Sequence, residues 1–391
     1  MINIFTNIDL FRYINEYTDL RSLCDTCSLF ATLKKYINYK LNREYSLIYY
    51  DDILFRQRVL NKIFNSYKQL HLDVSDSRIT DVSVLGNVHS LSLRCCYKIT
   101  NVSALGGVHT LNLHGCRYIT DVSALNNVYD LNLSGCENIT DVSALGNVHT
   151  LYLGRCNEII DVSALGNVHN LYLNNCNNIT DVSALGNVHT LNLHSCDNIT
   201  DVSMLGNVHT LVLSECNKIT DVNALNNVYS LDLSYCKKIT DFSALGKVHY
   251  LCLNGCNITD VSALGNVHTL DLSCCNKITD VSALGKVYSL KLFWCKQITD
   301  VSALGNVHTL NLCMCENITD VSMLGNVHTL DLSECHNITD VSALGNVHTL
   351  NLSECNITDV SMLGKVHTLH LIGCKNIKDV SALGNVHLIK N

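Results

Sequence analysis

From residue 70 onward the apolar positions of this chain fall into one phrase, repeated about every twenty residues. Residues 179–193 read ITDVSALGNVHTLNL, and the copies align as V-H-x-L-x-L-x-x-C-x-x-I-T-D-V-S-A-L-G-N. The alternation L-x-L, with a valine three residues before it, is the pattern of a short strand with one buried face. The step begins at Leu70, Leu91, Leu111 and so on to Leu369, which makes sixteen units. In a typical unit Val188, Leu191, Leu193, Cys196, Ile199, Val202 and Leu205 are predicted to point inward. No single unit buries them alone, so stacked neighbours must do it jointly and the repetition is itself the core. Successive strands then pair in parallel, about 4.8 Å apart.

About eight residues remain between the core isoleucine and the next strand, too few for a two-turn α-helix with its connections. Single-turn or 3-10 geometry is therefore expected on the outer face. Asp201 and its equivalents, just before V-S-A-L or V-S-M-L, are expected to cap that turn. Gly186 and its equivalents are expected to close it with a positive φ. The units at Cys256 and Cys355 each lack one residue after the cysteine, and the first unit reads as carrying one extra, with Ser75 in the cysteine slot. Loops absorb such changes.

Residues 1–69 follow a different, helical pattern. Leu10, Ile14 and Tyr17 are spaced for one helix, Thr18 or Asp19 caps a second that holds Leu20 and Leu23, and Ser28 caps a third with Leu29, Leu33 and Ile37. Three short helices in forty residues make a very small core. Residues 51–67, DDILFRQRVLNKIFNSY, read as a further helix covering the first repeat. The expected division is a helical module over 1–45, a linker and capping helix over 46–69, and a solenoid over 70–391.

Composition narrows the partners. Residues 1–69 carry 10 Lys+Arg against 7 Asp+Glu, whereas residues 70–391 carry 17 against 28. An array that acidic is a poor match for phosphate backbones, so nucleic acid is not expected as a partner. The N-terminus MINIFTNIDLFRYINEY has no basic stretch leading into an apolar run, and no eighteen-residue apolar run occurs, so neither a signal peptide nor a membrane span is expected. The 21 cysteines are then expected as reduced thiols in the cytoplasm or nucleus.

Fifteen of those cysteines, Cys96 through Cys374, share one slot and read as buried thiols packing like small apolar residues. The spacing of the others, such as Cys95 beside Cys96 or Cys313 near Cys315, lacks the paired arrangement of a zinc module, so no metal is expected. Thirteen of the eighteen histidines directly follow the repeat valine, with Tyr129, Tyr229 and Tyr288 replacing three. They read as a stacked polar ladder that resists protonation, because like charges would lie roughly 5 Å apart. The seven N-I-T sequences read as turns. No P-loop, G-x-G-x-x-G or recurring Ser-His-Asp set occurs, so neither an enzyme nor a cofactor is expected.

The L-x-L-x-x-C-x-x-I-T-D phrase resembles the leucine-rich-repeat family over residues 70–391, in its cysteine-containing subtype, and the short ITDVSALGNV is similar to internalin-type repeats. The resemblance implies an α/β solenoid: a leucine-rich-repeat horseshoe with a parallel β-sheet on its concave face and short 3-10 turns on its convex face, preceded by the small helical module. The order DLFRYINEYTDLRSLCDTCSLFATLKKY resembles an F-box that lacks the usual leading Leu-Pro, proline being absent from the whole chain. An F-box before such repeats implies a substrate receptor of a cullin–RING ubiquitin ligase. It would bind a Skp-type adaptor through Leu10, Ile14, Leu20 and Leu23 and thereby reach the cullin. The Asn-, Ile- and Tyr-rich composition is similar to that of repeat proteins of large DNA viruses, implying the cytoplasm of an infected cell. The other reading is an interaction or adhesion solenoid with no ligase link.

The copies differ mainly at the outward strand residues and just after them: LNL, LYL, LVL, LDL and LKL, followed by SG, GR, NN, SE, SY, FW or CM. These residues face away from the core, on the surface solenoids use for binding. Tyr235, Cys252, Lys291, Phe293, Trp294, Cys313 and Met314 stand out there. Tyr235, Lys291, Phe293, Trp294 and Met314 are the expected protein-target contacts, since large aromatic, Met and cationic side chains dominate interface energies.

Overall fold

The computed structural model describes residues 39–63 and 69–390. The expected adaptor-binding residues Leu10, Ile14, Leu20 and Leu23 lie outside them. A strand β1 (Tyr39–Lys40) leads into helices α1 (Arg43–Asp51) and α2 (Ile53–Ile63). Seventeen further strands follow, from β2 (Leu70–Asp73) and β3 (Ser90–Ser92) to β18 (His387–Ile389). Each pairs in parallel with the next, giving an open 18-stranded sheet in sequence order. The register keeps equivalent residues level: Thr190, Leu191 and Asn192 face Thr210, Leu211 and Val212.

The seven predicted core positions of the typical unit are all at most 2% exposed. They form one continuous cluster running through the stack. A 3-10 turn closes each unit on the outer face, as at Ser203–Leu205. Asp201 Oδ1 accepts the Ser203 N–H at 2.9 Å, so the expected capping carboxylate is in place and ties the turn from two residues before it.

Three details differ from the pattern-based expectation. Gly186 and its equivalents do not have positive φ; Gly206, for instance, lies at −63°. Glycine is favoured there because a Cβ on Gly186 would sit 2.3 Å from the carbonyl oxygen of Met204 in the next turn. Asn126 and Asn226 show that the stack yields at this slot in two units. The positive φ falls instead on the residue before the cysteine, at Gly115, Gly135, Gly255 and Gly373 (67–74°) and at twelve non-glycine residues.

Second, β2 pairs Leu72, not Leu70, with Leu91. Ser77 therefore takes the cysteine slot, with its Oγ 3.3 Å from Cys96 Sγ, and not Ser75. The first unit is short by one residue where the pattern reads it as long. A two-residue shift keeps the same side chains inward, so alternation alone does not distinguish the two registers. Leu70 is buried too, because β1 extends the sheet past it.

Third, the helix expected over 51–67, present as α2, is preceded by a second one, α1, that the pattern did not predict. Asp52 Oδ1 accepts the N–H groups of Leu54 and Phe55, which ends α1 and caps α2. Asn42 caps α1 through Tyr45 N–H, and α1 runs across residues 45 and 46. Ser46, fully buried, donates to Asn42 O and accepts from Asp73 N–H, fixing α1 against β2. Tyr49 and Val59 bury themselves over the first unit and cover that end of the core.

Candidate functional site

Two columns of residues knit the units together. Each core cysteine directs its thiol to a backbone carbonyl of the preceding unit, Val74 O for Cys96 and a leucine for the rest, as Cys196 Sγ to Leu173 O at 3.1 Å and Cys216 Sγ to Leu193 O at 3.1 Å. Burial pushes these thiols up, to about 12 at Cys116, Cys156 and Cys236. At the start of the strands the rings from His89 to His367, tyrosines included, stack at centroid separations of 4.4–4.9 Å. Desolvation, then the neighbouring imidazoles, lowers the pKa of His89 and His189. Six of the seven N-I-T asparagines donate to the backbone of the preceding unit, as Asn198 Nδ2 to Asn177 O at 2.6 Å. These columns are scaffold, and they leave the strand face to vary.

On that face β13 (Ser289–Lys291) leads into Phe293 and the chain's single tryptophan, Trp294. Alternation turns Lys291 and Phe293 outward and buries Leu290 and Leu292. Trp294 has φ 58° and donates its N–H to Cys313 O at 2.9 Å, which holds its side chain on the surface, 40% exposed. Met314, φ 59°, occupies the same slot one strand on. Lys291 Nζ lies 3.6 Å from Asp271 Oδ2. Lys296 sits over the Trp294 ring, 5.3 Å from its centroid, and pairs with Glu316 at 3.0 Å.

The structure thus gathers Lys291, Phe293, Trp294 and Met314. Tyr235, φ 61°, is in the same column but three strands away, its ring lying over Gly255. Cys252 is tied to Ser234 Oγ at 3.0 Å, and burial raises the pKa of Cys252, Cys274 and Cys313, so none of these thiols is activated. Sequence reasoning missed Lys296, which lies past the cysteine and outside the strand alternation, and Cys274, next to Trp294 in its column. It also passed over Tyr152 and Tyr172, whose rings stack at 4.4 Å; two consecutive L-Y-L units were the available signal.

His194, Ser195, Ser214 and Glu215 form a hydrogen-bonded cluster, with Ser195 Oγ 3.2 Å from His194 Nε2. The N–H groups of Ser195 and Glu215 are spent on the carbonyls of Ser214 and Ser234, so neither is available to an oxyanion. Among the described residues no group of three or more His, Cys, Asp and Glu side chains converges on a metal position, and no helix is long and apolar enough to cross a membrane.

A profile described as Leucine Rich repeat matches residues 266–284 and 346–363. An internalin of Listeria monocytogenes str. 4b F2365 is 30% identical, with 64% of this chain and 83% of that one aligned and a TM-score of 0.51. A leucine-rich-repeat protein of Leptospira interrogans, 17% identical, shares the fold over 85% of this chain and 97% of its own, with a TM-score of 0.61. Comparison with curated proteins gives no match. The periodic Leu, Cys and Ile core, the parallel one-strand-per-unit sheet and the identity to the internalin agree: the chain belongs to the leucine-rich-repeat family.

Proposed function

We propose that the chain is a protein receptor whose concave strand face holds the target, centred on Lys291, Phe293, Trp294 and Met314 and flanked by Tyr235. The observation that carries this reading is Trp294. It is a large apolar side chain, 40% exposed, on a backbone position that glycine fills in other units. A residue kept in a strained conformation without a packing reason is a candidate for function.

We further propose that residues 1–45 act as an F-box, binding a Skp-type adaptor through Leu10, Ile14, Leu20 and Leu23, and that the protein is the substrate-recognition subunit of a cullin–RING ubiquitin ligase. The support is the sequence resemblance of that segment together with the repeats behind it. Such a receptor catalyses nothing; it raises the effective concentration of its target near a ubiquitin-conjugating enzyme. The compartment on this reading is the cytoplasm, the host's if the chain is viral. A binding scaffold with no ligase link is the second reading, and the 30% identity to an internalin favours it.

Co-purification with the adaptor and cullin decides between them. The full chain is expected to retain both, and Leu20→Glu with Leu23→Glu to lose both while the thermal transition of the solenoid stays in place. Absence of the adaptor from the parent, or its retention by the double variant, ends the ligase reading and leaves the scaffold.

A further inference from the structure

We infer that the segment filling the concave site is a basic stretch of protein with an apolar anchor between its positive residues; this rests on the receptor reading above. The charge of the strand face carries the inference. Between residues 196 and 354 its outward positions hold Glu215, Asp232, Asp271, Asp331, Glu334 and Glu354 against Lys291 alone. Asp271 is engaged by that lysine, and Lys296 at the rim is engaged by Glu316, so the site's own cations are already neutralised. The remaining carboxylates stand on both sides of Trp294, and low-lying walls of one sign draw the opposite charge.

The strand spacing fixes how far apart the partner's features should be. Glu334 is two strands from Trp294 in the same column. At about 4.8 Å per strand that is roughly 10 Å, three residues of an extended chain crossing the sheet. In the other direction Asp232 is three strands from Lys291, roughly 14 Å or four residues. An apolar residue seated on Phe293 and Trp294 therefore has a Lys or Arg about three positions away on one side and about four on the other. Asp232 and Asp331 already accept from Ser234 and Ser333, so what a neutral or acidic segment would leave uncompensated is the net negative charge of the face, partly desolvated.

Trp294 is the sole tryptophan of the chain, so its emission reports on this site alone. Synthetic peptides with the stated spacing are titrated into the full-length protein under excitation selective for tryptophan. The basic peptide with a Leu or Phe anchor is expected to shift the emission and to bind at least about tenfold more weakly when salt rises from about 0.05 to about 0.5 M. Replacing its Lys by Glu, or its anchor by Ser, is expected to weaken binding at least tenfold. Glu334→Lys should repel the basic peptide and accept one carrying Glu at the facing position.

Equal binding of basic and acidic peptides, or indifference to Glu334→Lys, overturns the inference while a Trp294 response preserves the receptor reading. Binding that leaves Trp294 emission unchanged overturns both. Lack of binding by the basic peptide at millimolar concentration overturns the inference and leaves the receptor reading to target capture with a Trp294 variant.

Discussion

Alkylation of the cysteines tests the stack directly. At pH 8 an ordinary thiol of pKa near 8.5 is about one-quarter thiolate, whereas one at about 12, such as Cys116, Cys156 or Cys315, is about one part in ten thousand. The ratio is roughly two-thousandfold. A more basic thiolate is also more nucleophilic, and a Brønsted slope of about 0.4–0.5 over this range returns some thirty- to fiftyfold. Ionisation alone therefore slows the ladder by about fifty- to a hundredfold. The other route is the opening of a unit, which returns the thiol to its ordinary pKa; there the protection of the fully buried Cys116, Cys156 and Cys315 is the cost of opening itself. The assay is timed iodoacetamide labelling of the native chain, quenching, denaturation with a second isotopic label, and peptide mass spectrometry. Among the described residues Cys95, Cys252, Cys274 and Cys313, partly exposed, should label before the ladder; Cys374, 5% exposed, should be the earliest of the ladder. Ladder cysteines that react within tenfold of Cys274 would refute the packing described here.

Two further outcomes follow from the columns. Thermal stability should fall as pH drops from 7 through about 6.5 to 5, more steeply at low salt: His89 and His189 have lowered pKa values when folded, so the unfolded chain binds more protons in that window and acid favours it. A melting temperature that is flat or rising on acidification contradicts the stacked ladder. Leu193→Ala should cost about 2–5 kcal/mol, with hydrogen-exchange protection lost mainly in the units beside it, because units touch only their neighbours; loss spread evenly along the chain would mean the array does not behave as a one-dimensional stack.

The core was legible because the units from Leu91 onward state it: Leu, Leu, Cys, Ile, Val (Phe242 once) and Leu at fixed offsets, buried where the period put them except Val380 in the last unit. The 3-10 turns followed from the count of residues left over. What was not legible involves contacts between units. The clash that favours Gly186 is with Met204, eighteen residues on, and no local pattern contains it. The positive φ before the cysteine was hidden because Tyr, Trp, Met, Glu and Arg occupy it as well as glycine. Of the expected target site, Lys291, Phe293, Trp294 and Met314 were recoverable from adjacency in sequence and strand order. The distance of Tyr235 from them needed the strands to be counted, and Lys296 needed the ring's position. Adjacent carboxylates and lysines pair across strands, as Asp271 with Lys291, which a reading of one unit at a time does not reveal.

The column that holds Trp294 allows fold and function to be separated. Its sixteen residues share φ of 55–74°, four are glycine, and none is β-branched. The backbone there evidently excludes Val, Ile and Thr, whose Cβ branches make left-handed geometry most costly. For other non-glycine residues the conformation costs about 1–2 kcal/mol. Trp294→Gly relieves that strain; it loses the tryptophan's partial contacts with Lys296 and adds unfolded-chain entropy of about 0.5–1 kcal/mol. These terms nearly cancel, so the variant should melt within about 1 kcal/mol of the parent, unlike a core aromatic, whose removal costs about 3–5 kcal/mol. Target binding should nonetheless weaken by about 2 kcal/mol or more, roughly thirtyfold. Asn132→Ala, outward on its strand and followed by the small Ser134 and Gly135, should leave binding unchanged. The measurements are denaturant unfolding for stability and affinity for a captured target. A destabilisation above about 3 kcal/mol would make Trp294 a structural residue, and equal binding losses in the two variants would move recognition elsewhere on the face. Stability kept and binding lost would mean that this column accepts strain in order to present side chains to a partner.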